Sequence, residues 1–257
     1  MTGVQHSRAN AVVFFERYVE EHAASLAGKH IYDLSAGSGY IAALFEKAGA
    51  VVHAYDLFPG QNRYVQSGVK FIDLQQPFPI NAGAADLVLC AETIEHLPNQ
   101  FFFFKEVARI LAPTGVFMLT TPNPSSLRSR FSQLLMESEH YSHPAPNETD
   151  AFTRWEGSHD GYFSKLFISG MLRLRTLAAL QGLRIKKHHP SARSSTSYLL
   201  LLFYPVIFYF SRKHLRKQLR HDVEHAAIYR EIFKLNTSWD VLLGKHLILE
   251  ICKERVD

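Results

Sequence analysis

Glu92, Glu95 and His96, in the stretch AETIEHLPN, bring two carboxylates and an imidazole into five consecutive positions. An imidazole titrates near neutrality and can take a proton from an attacking hydroxyl. Two carboxylates and an imidazole can equally ligate a divalent cation. The plainest reading is that Glu95 and His96 only cap a turn. If 92–96 form a helical turn, the three side chains share one face by i, i+3 and i+4 spacing. They follow ADLVLC, a near-continuous apolar run that reads as a strand covered on both faces.

A second group lies upstream. Gly37, Ser38, Gly39, Tyr40, Ile41 and Ala42 form a G-x-G-x-x-A turn between a strand and a helix. Small residues there admit close approach of a ligand, and the helix start offers unpaired amide donors. Asp56 closes the next strand, where a carboxylate can accept from two ribose hydroxyls. That much fits a nicotinamide dinucleotide as well as an adenosyl ligand. Asp33 lies before the first glycine, where dinucleotide folds usually place an apolar residue, and can hold a cationic amino-acid moiety. Asp73, in FIDLQQPFP, can accept from an exocyclic adenine amine.

The elements that must position these groups follow from periodicity. Residues 8–26 read as a leading helix. KHIYDL, AVVHAYD, VKFIDL, ADLVLC and GVFMLTTP read as strands, with helices over the segment after the glycine turn and over NQFFFFKEVARILAP. Such alternation implies an α/β doubly wound, mostly parallel sheet. Residues 124–162 lack a clear period and read as a functional loop. A helix over SKLFISGMLRLRTLAALQG and strands at LRIKKHH and GKHLILEICKE complete the alternation. The expected organisation is a single domain over 1–257. Its core is 27–123, 163–190 and 245–257, with acceptor-side insertions at 124–162 and 191–244.

In chain order, DLSAGSGY, HAYD, FIDLQQPFP, ADLVLCAETIEHLPN and ILAPTGVFMLTTPNP resemble the motifs of class I S-adenosylmethionine-dependent methyltransferases. The resemblance implies a seven-stranded Rossmann-like sheet with a loop-rich acceptor-side cap, and S-adenosylmethionine as cofactor. Carried over by position, Asp33, Gly37 and Gly39 would face the methionyl part, with Ser35, Ala36 and Tyr40 in the same turn. Asp56 and Leu57 would hold the ribose and adenine edge, and Asp73 and Leu74 the adenine. Cys90 and Ala91 would close the pocket under the sulfonium. Glu-x-x-Glu-His is similar to the divalent-ion motif of small-RNA and ubiquinone-pathway O-methyltransferases. EGSHDGYF is similar to a ubiquinone-type segment, which makes His159 a candidate fourth ligand beside Glu92, Glu95 and His96. His96, Glu95 and His159 are thus the candidate catalytic groups, as base or as metal site. TPNPSSLRSRFSQLL resembles methyltransferases encoded with bacterial polysaccharide enzymes, which implies a hydroxyl on a sugar or lipid-linked glycan. A small aromatic or quinone-type acceptor is the alternative, and a non-catalytic cofactor-binding subunit the alternative of another class.

Composition sets outer bounds. A chain of 257 residues, 47% hydrophobic and 20% charged, is that of a globular protein with a substantial core. Two cysteines, Cys90 and Cys252, provide no disulfide framework. MTGVQHSRAN has no hydrophobic signal core, so a cytoplasmic location is expected. Much of the +4 net charge sits in SRKHLRKQLRH, directly after the apolar YLLLLFYPVIFYF. Pro205 interrupts that apolar run, and it is short of the roughly 20 residues a bilayer span takes. Two readings remain for 198–220. One is peripheral contact with anionic lipid at the inner face of a membrane. The other is a core or homodimer helix followed by a solvated basic face. No RNA-binding module is present in the sequence, so nucleic acid is not an expected partner.

Overall fold

A computed structural model describes residues 3–139, 145–154 and 161–254. Its strands are β1 (His30–Asp33), β2 (Val51–Asp56), β3 (Val69–Phe71), β4 (Ala85–Ala91), β5 (Leu111–Pro122), β6 (Phe152–Arg154), β7 (Gly161–Phe163), β8 (Leu183–His189) and β9 (His246–Lys253). Seven of them form one sheet in the order β3-β2-β1-β4-β5-β9-β8, while β6 and β7 pair as a separate antiparallel hairpin. The pairs from β3 to β5 are parallel. Only β9 runs against its neighbours. The strand order reverses between β1 and β4, so the crevice beyond their carboxyl ends is the place where such sheets take ligands.

Burial follows position in the sheet. Val88, Leu89 and Cys90 of β4 and Leu247, Leu249 and Ile251 of β9 are fully buried, whereas Phe71 on the edge strand β3 is 62% exposed. One face is covered by α1 (Gly3–Leu26) and α2 (Tyr40–Lys47), which seat Phe15 and Phe45 on Ile31, Val52 and Leu89. The other is covered by α3 (Gln100–Ile110) and α5 (Met171–Ala179). There Phe103, Phe104 and Phe117 meet edge to face at 5.9–6.2 Å. Truncating one of these rings would cost about 3–5 kcal/mol.

Asn99 caps α3, its side chain accepting from the Phe102 amide. Two expectations change. Residues 124–162 are not all loop: Ser126 caps α4 (Leu127–Met136) by accepting from the Ser129 amide. Leu134 and Leu135 point outward at 80% and 60% exposure, so the helix lacks a clean apolar stripe. The helix expected from Ser164 begins only at Met171. Residues before it are drawn out, because the Phe167 amide donates to the Glu95 carbonyl and Gln100 donates to the Phe167 carbonyl. Residues 191–244 fold into α6 (Ser195–Leu199), α7 (Tyr204–His221), α8 (Ala226–Asn236) and α9 (Trp239–Leu243). Among the described residues no helix is long and apolar enough to cross a membrane.

Candidate active site

The loops after β1, β2 and β4 are tied into one unit by backbone groups. Asp56 accepts from the Gly37 amide on Oδ2 and from the Phe58 amide on Oδ1, both at 2.8 Å. The Ala36 amide donates to the Tyr55 carbonyl at 2.9 Å, and the Ala91 amide donates to Ser35 Oγ at 2.8 Å. Gly37 and Gly39 both take positive φ, 53° and 83°. A Cβ on Gly39 would lie 2.5 Å from Val65 Cγ2 and 2.6 Å from Asn62 Oδ1, so only glycine fits. A Cβ on Gly37 would meet nothing within 4 Å. The turn therefore presents bare backbone to open space, as a close-lying ligand requires.

Asp33 closes β1 at 2% exposure, with the Ser35 amide donating to Oδ1 at 3.1 Å. Burial pushes its pKa up to about 7, against the lowering effect of that amide and with a further push from Asp56. A buried carboxyl at the crevice end of β1 is suited to an incoming ammonium group. Asp73 is half-buried and accepts from the Gln75 amide at 2.9 Å. Leu74 lies in the core, Leu57 is half-buried, and Ala36 is buried beneath the turn. Tyr40 turns toward α1, where its hydroxyl donates to Glu16. Cys90 is wholly buried, and burial, then the charges of Glu95 and Asp33, holds its thiol well above the usual range. It is an unreactive core thiol behind Ala91, which is half-exposed. The residues present fit S-adenosylmethionine: the buried Asp33 carboxyl, the bare glycine turn and the Asp56 carboxylate close β1, follow it and close β2, and would take the ammonium, the methionyl part and the ribose in turn.

The 92–96 stretch folds differently from a regular helical turn. Glu92 is left-handed, with φ 51°, and only Ile94–His96 form a short 3-10 turn. The two carboxylates consequently meet at Lys165 while His96 parts from them. Glu92 accepts from Thr120 Oγ1 at 3.1 Å and stands 3.5 Å from His246 Nε2 and 3.8 Å from Lys165 Nζ. Glu95, fully buried, accepts from Thr121 Oγ1 at 3.0 Å and lies 3.4 Å from Lys165. His96 points the other way, with Nδ1 2.7 Å from the Phe163 carbonyl oxygen. A carbonyl only accepts, so Nδ1 carries the proton and Nε2 is the basic nitrogen of the neutral ring.

Burial pushes Glu92 up to about 8, with Glu95 adding and Lys165 opposing. Glu139 rises to about 7, mainly through burial. His246 is lowered to about 4 by burial and the nearby cations, so it is neutral. Asn10 Nδ2 lies 3.3 Å from its Nδ1 and can only donate there, which leaves a proton on Nε2 facing Glu92. The site is thus a proton-holding carboxyl cluster around one lysine. Sequence reasoning found Glu92 and Glu95 but missed Lys165, Thr120, Thr121, His246 and Glu139, which reach the cluster from other elements. Their only advance signal is strand register, which sets Thr120 beside Ala91 and His246 beside Pro122.

Of the four metal candidates, the three described ones, Glu92, Glu95 and His96, do not converge on one point. The Lys165 ammonium already stands by both carboxylates, and His96 is turned to the hairpin. His159 lies outside the described residues. Among the described residues no group of three or more His, Cys, Asp or Glu is placed to hold a metal ion.

A cavity of about 540 Å³ lies between residues 57–61, which follow Asp56 in the chain, and the hairpin residues Thr153, Arg154 and Tyr162. The Tyr162 ring packs edge-on against both Phe58, at 5.5 Å, and His96, at 5.8 Å. The hairpin therefore joins the loop after β2 to His96.

A sheet of this order, with the glycine turn at its switch point and a carboxylate after β2, is the fold of class I S-adenosylmethionine-dependent methyltransferases. The methyltransferase-domain family matches residues 8–221, and the chain belongs to it. Among curated proteins it is similar to the ubiquinone biosynthesis O-methyltransferase of Vibrio campbellii, 30% identical over 115 residues, which are 41% of this chain and 49% of that one. The chain thus spans about half the length of the curated relatives it matches. Among solved structures it shares its fold with a putative S-adenosylmethionine-dependent methyltransferase from Listeria monocytogenes. The TM-score is 0.54 at 12% identity, over 95% of this chain and 100% of that one. It also shares it with the magnesium protoporphyrin IX methyltransferase of Synechocystis PCC 6803, determined with bound S-adenosylhomocysteine. There the TM-score is 0.51 at 16% identity, over 75% and 82% of the two chains.

Proposed function

We propose that the enzyme methylates a hydroxyl oxygen, on a sugar or a lipid-linked glycan, with His96 Nε2 as the general base. The observation that carries this reading is the fixed tautomer of His96 at the hairpin, which leaves Nε2 basic beside Tyr162. Bound S-adenosylmethionine supplies the electrophilic methyl group. As the acceptor oxygen bonds to that methyl carbon and the carbon–sulfur bond breaks, His96 takes the hydroxyl proton. Positioning does the rest, because the reaction is an in-line displacement. Arg154, Gln61 and Thr153 give the cavity polar groups, and Phe58 and Tyr162 give it flat apolar faces, a combination that suits a sugar ring.

The same two aromatic rings support a second reading, a small aromatic or quinone-type acceptor. The curated relatives, named as ubiquinone biosynthesis O-methyltransferases, support it too.

Transfer of radiolabelled methyl groups into a cell-envelope extract, followed by mass spectrometry of the product, tests both. Label in a sugar-containing lipid is the expected result, and label in an aromatic small molecule would select the second reading. His96→Ala should abolish transfer while S-adenosylhomocysteine affinity stays near wild type, and a chelator should change neither. Full activity in His96→Ala would remove the base assignment.

A further inference from the structure

The segment from α6 to the end of α7 has two unlike faces. Its inner face is packed. Leu200 is buried, and Leu201, Tyr204 and Ile207 lie against Leu127, Leu242 and Leu243. Phe208 meets Phe233 at 5.5 Å, and Asn236 donates to Ser211 at 2.7 Å. Its outer face has no such cover. Leu199, Leu202, Phe203, Val206, Tyr209 and Phe210 are 73%, 64%, 46%, 52%, 61% and 60% exposed. Their i+3 and i+4 steps make one stripe, and the stripe continues through Lys213, Arg216, Lys217 and Arg220. No residue of α7 is buried, which sets aside a core helix.

The charge is one-sided. Residues 198–221 contain no Asp or Glu. Arg212, Lys213, Arg216, Lys217 and Arg220 are exposed, and none is ion-paired with a described residue. A two-fold dimer through this face would set these cations against one another or against the partner's apolar half, uncompensated in either case. An anionic lipid surface satisfies both halves at once. Acyl chains cover the apolar turns, and lipid phosphates meet the basic ones.

We infer that the outer face of residues 199–220 is a peripheral docking surface for an anionic lipid bilayer, with α7 lying in the plane of the interface. The surface is separate from the cofactor crevice, and the inference does not depend on which acceptor is methylated.

Co-sedimentation of the full-length protein tests it without any acceptor. Wild type should pellet with vesicles of phosphatidylcholine plus phosphatidylglycerol, stay in solution with phosphatidylcholine alone, and be released by high salt. Reversing Arg212, Lys213, Arg216 and Lys217 to glutamate should lower partitioning on the order of a hundredfold or more, at roughly fivefold per basic residue. Leu202→Ser with Phe210→Ser keeps the charge and should also weaken binding. All six positions are exposed, so unchanged thermal melting would show that the fold is intact. Wild type left in the supernatant with anionic vesicles would overturn the inference, as would equal pelleting with both vesicle types. A dimer that these substitutions dissociate, with no vesicle binding, would make the face a self-interface and overturn it as well.

Discussion

Replacing Lys165 by methionine keeps an unbranched side chain of similar length but removes the charge beside Glu92 and Glu95. At 3.4 Å and 3.8 Å the two attractions are about 5 and about 4 kcal/mol with an effective dielectric of about 20. Much of that is not realised as stability. The lysine side chain is 38% exposed and screened, and the wild-type lysine itself loses hydration. Glu92 can also take up a proton instead of standing unpaired, because burial already holds its pKa at about 8. Its folded value is raised above the unfolded one, near 4.5. Glu92 therefore costs stability as pH climbs through that window, and the penalty is complete only above about pH 8. Without Lys165 the window widens upward. The expected loss is about 1–2 kcal/mol near pH 6 and about 2–4 kcal/mol near pH 8.5. In melting temperature that is about 5 °C and roughly twice as much. Thermal melts of wild type and Lys165→Met at the two pH values read this directly. Adding Glu95→Gln to the variant should recover part of the alkaline loss, since one of the two charges goes with the lysine. An unchanged melting temperature, or the same loss at both pH values, would refute the lysine's role between the carboxylates.

Two further outcomes follow from the glycine turn. Gly39→Ala forces a Cβ into Val65 and Asn62 at positive φ and should cost about 2–4 kcal/mol, read by chemical denaturation. Wild-type stability would mean that the turn is looser than drawn. Asp33, with its pKa near 7, must ionise to pair with the ligand's ammonium group, so S-adenosylhomocysteine affinity should rise about tenfold between pH 6 and pH 8. Asp33→Asn should flatten that profile, and a flat profile in the wild type would place the ammonium elsewhere.

The sheet was legible because its strands are short apolar runs separated by strong punctuation. ADLVLC and HLILEIC show both-face burial in their composition alone, and Gly37 and Gly39 mark the one turn that glycine must make. The parting of His96 from Glu92 and Glu95 was not legible, because the spacing implies one shared face. That reading needs helical φ and ψ, and Glu92 adopts φ 51°, which no spacing rule anticipates for a glutamate. Lys165 and His246 were invisible for another reason. They reach the cluster from the segment after the β6–β7 hairpin and from the start of β9, so only tertiary register brings them there. α4 was hidden by Leu134 and Leu135, whose exposure blurs the apolar period.

The central claim is that the crevice beyond β1, β2 and β4 holds the cofactor, with Asp56 on the ribose. Isothermal titration of S-adenosylhomocysteine into wild type and Asp56→Ala tests it most directly. Wild type should bind one ligand per chain. The variant loses the charged acceptor that holds the Gly37 and Phe58 amides and, on this account, takes the ribose hydroxyls, and should weaken by about 1.5–3 kcal/mol or more. That is a loss of roughly ten- to a hundredfold in affinity. No heat of binding in the wild type, or the same affinity in a folded Asp56→Ala, would contradict it.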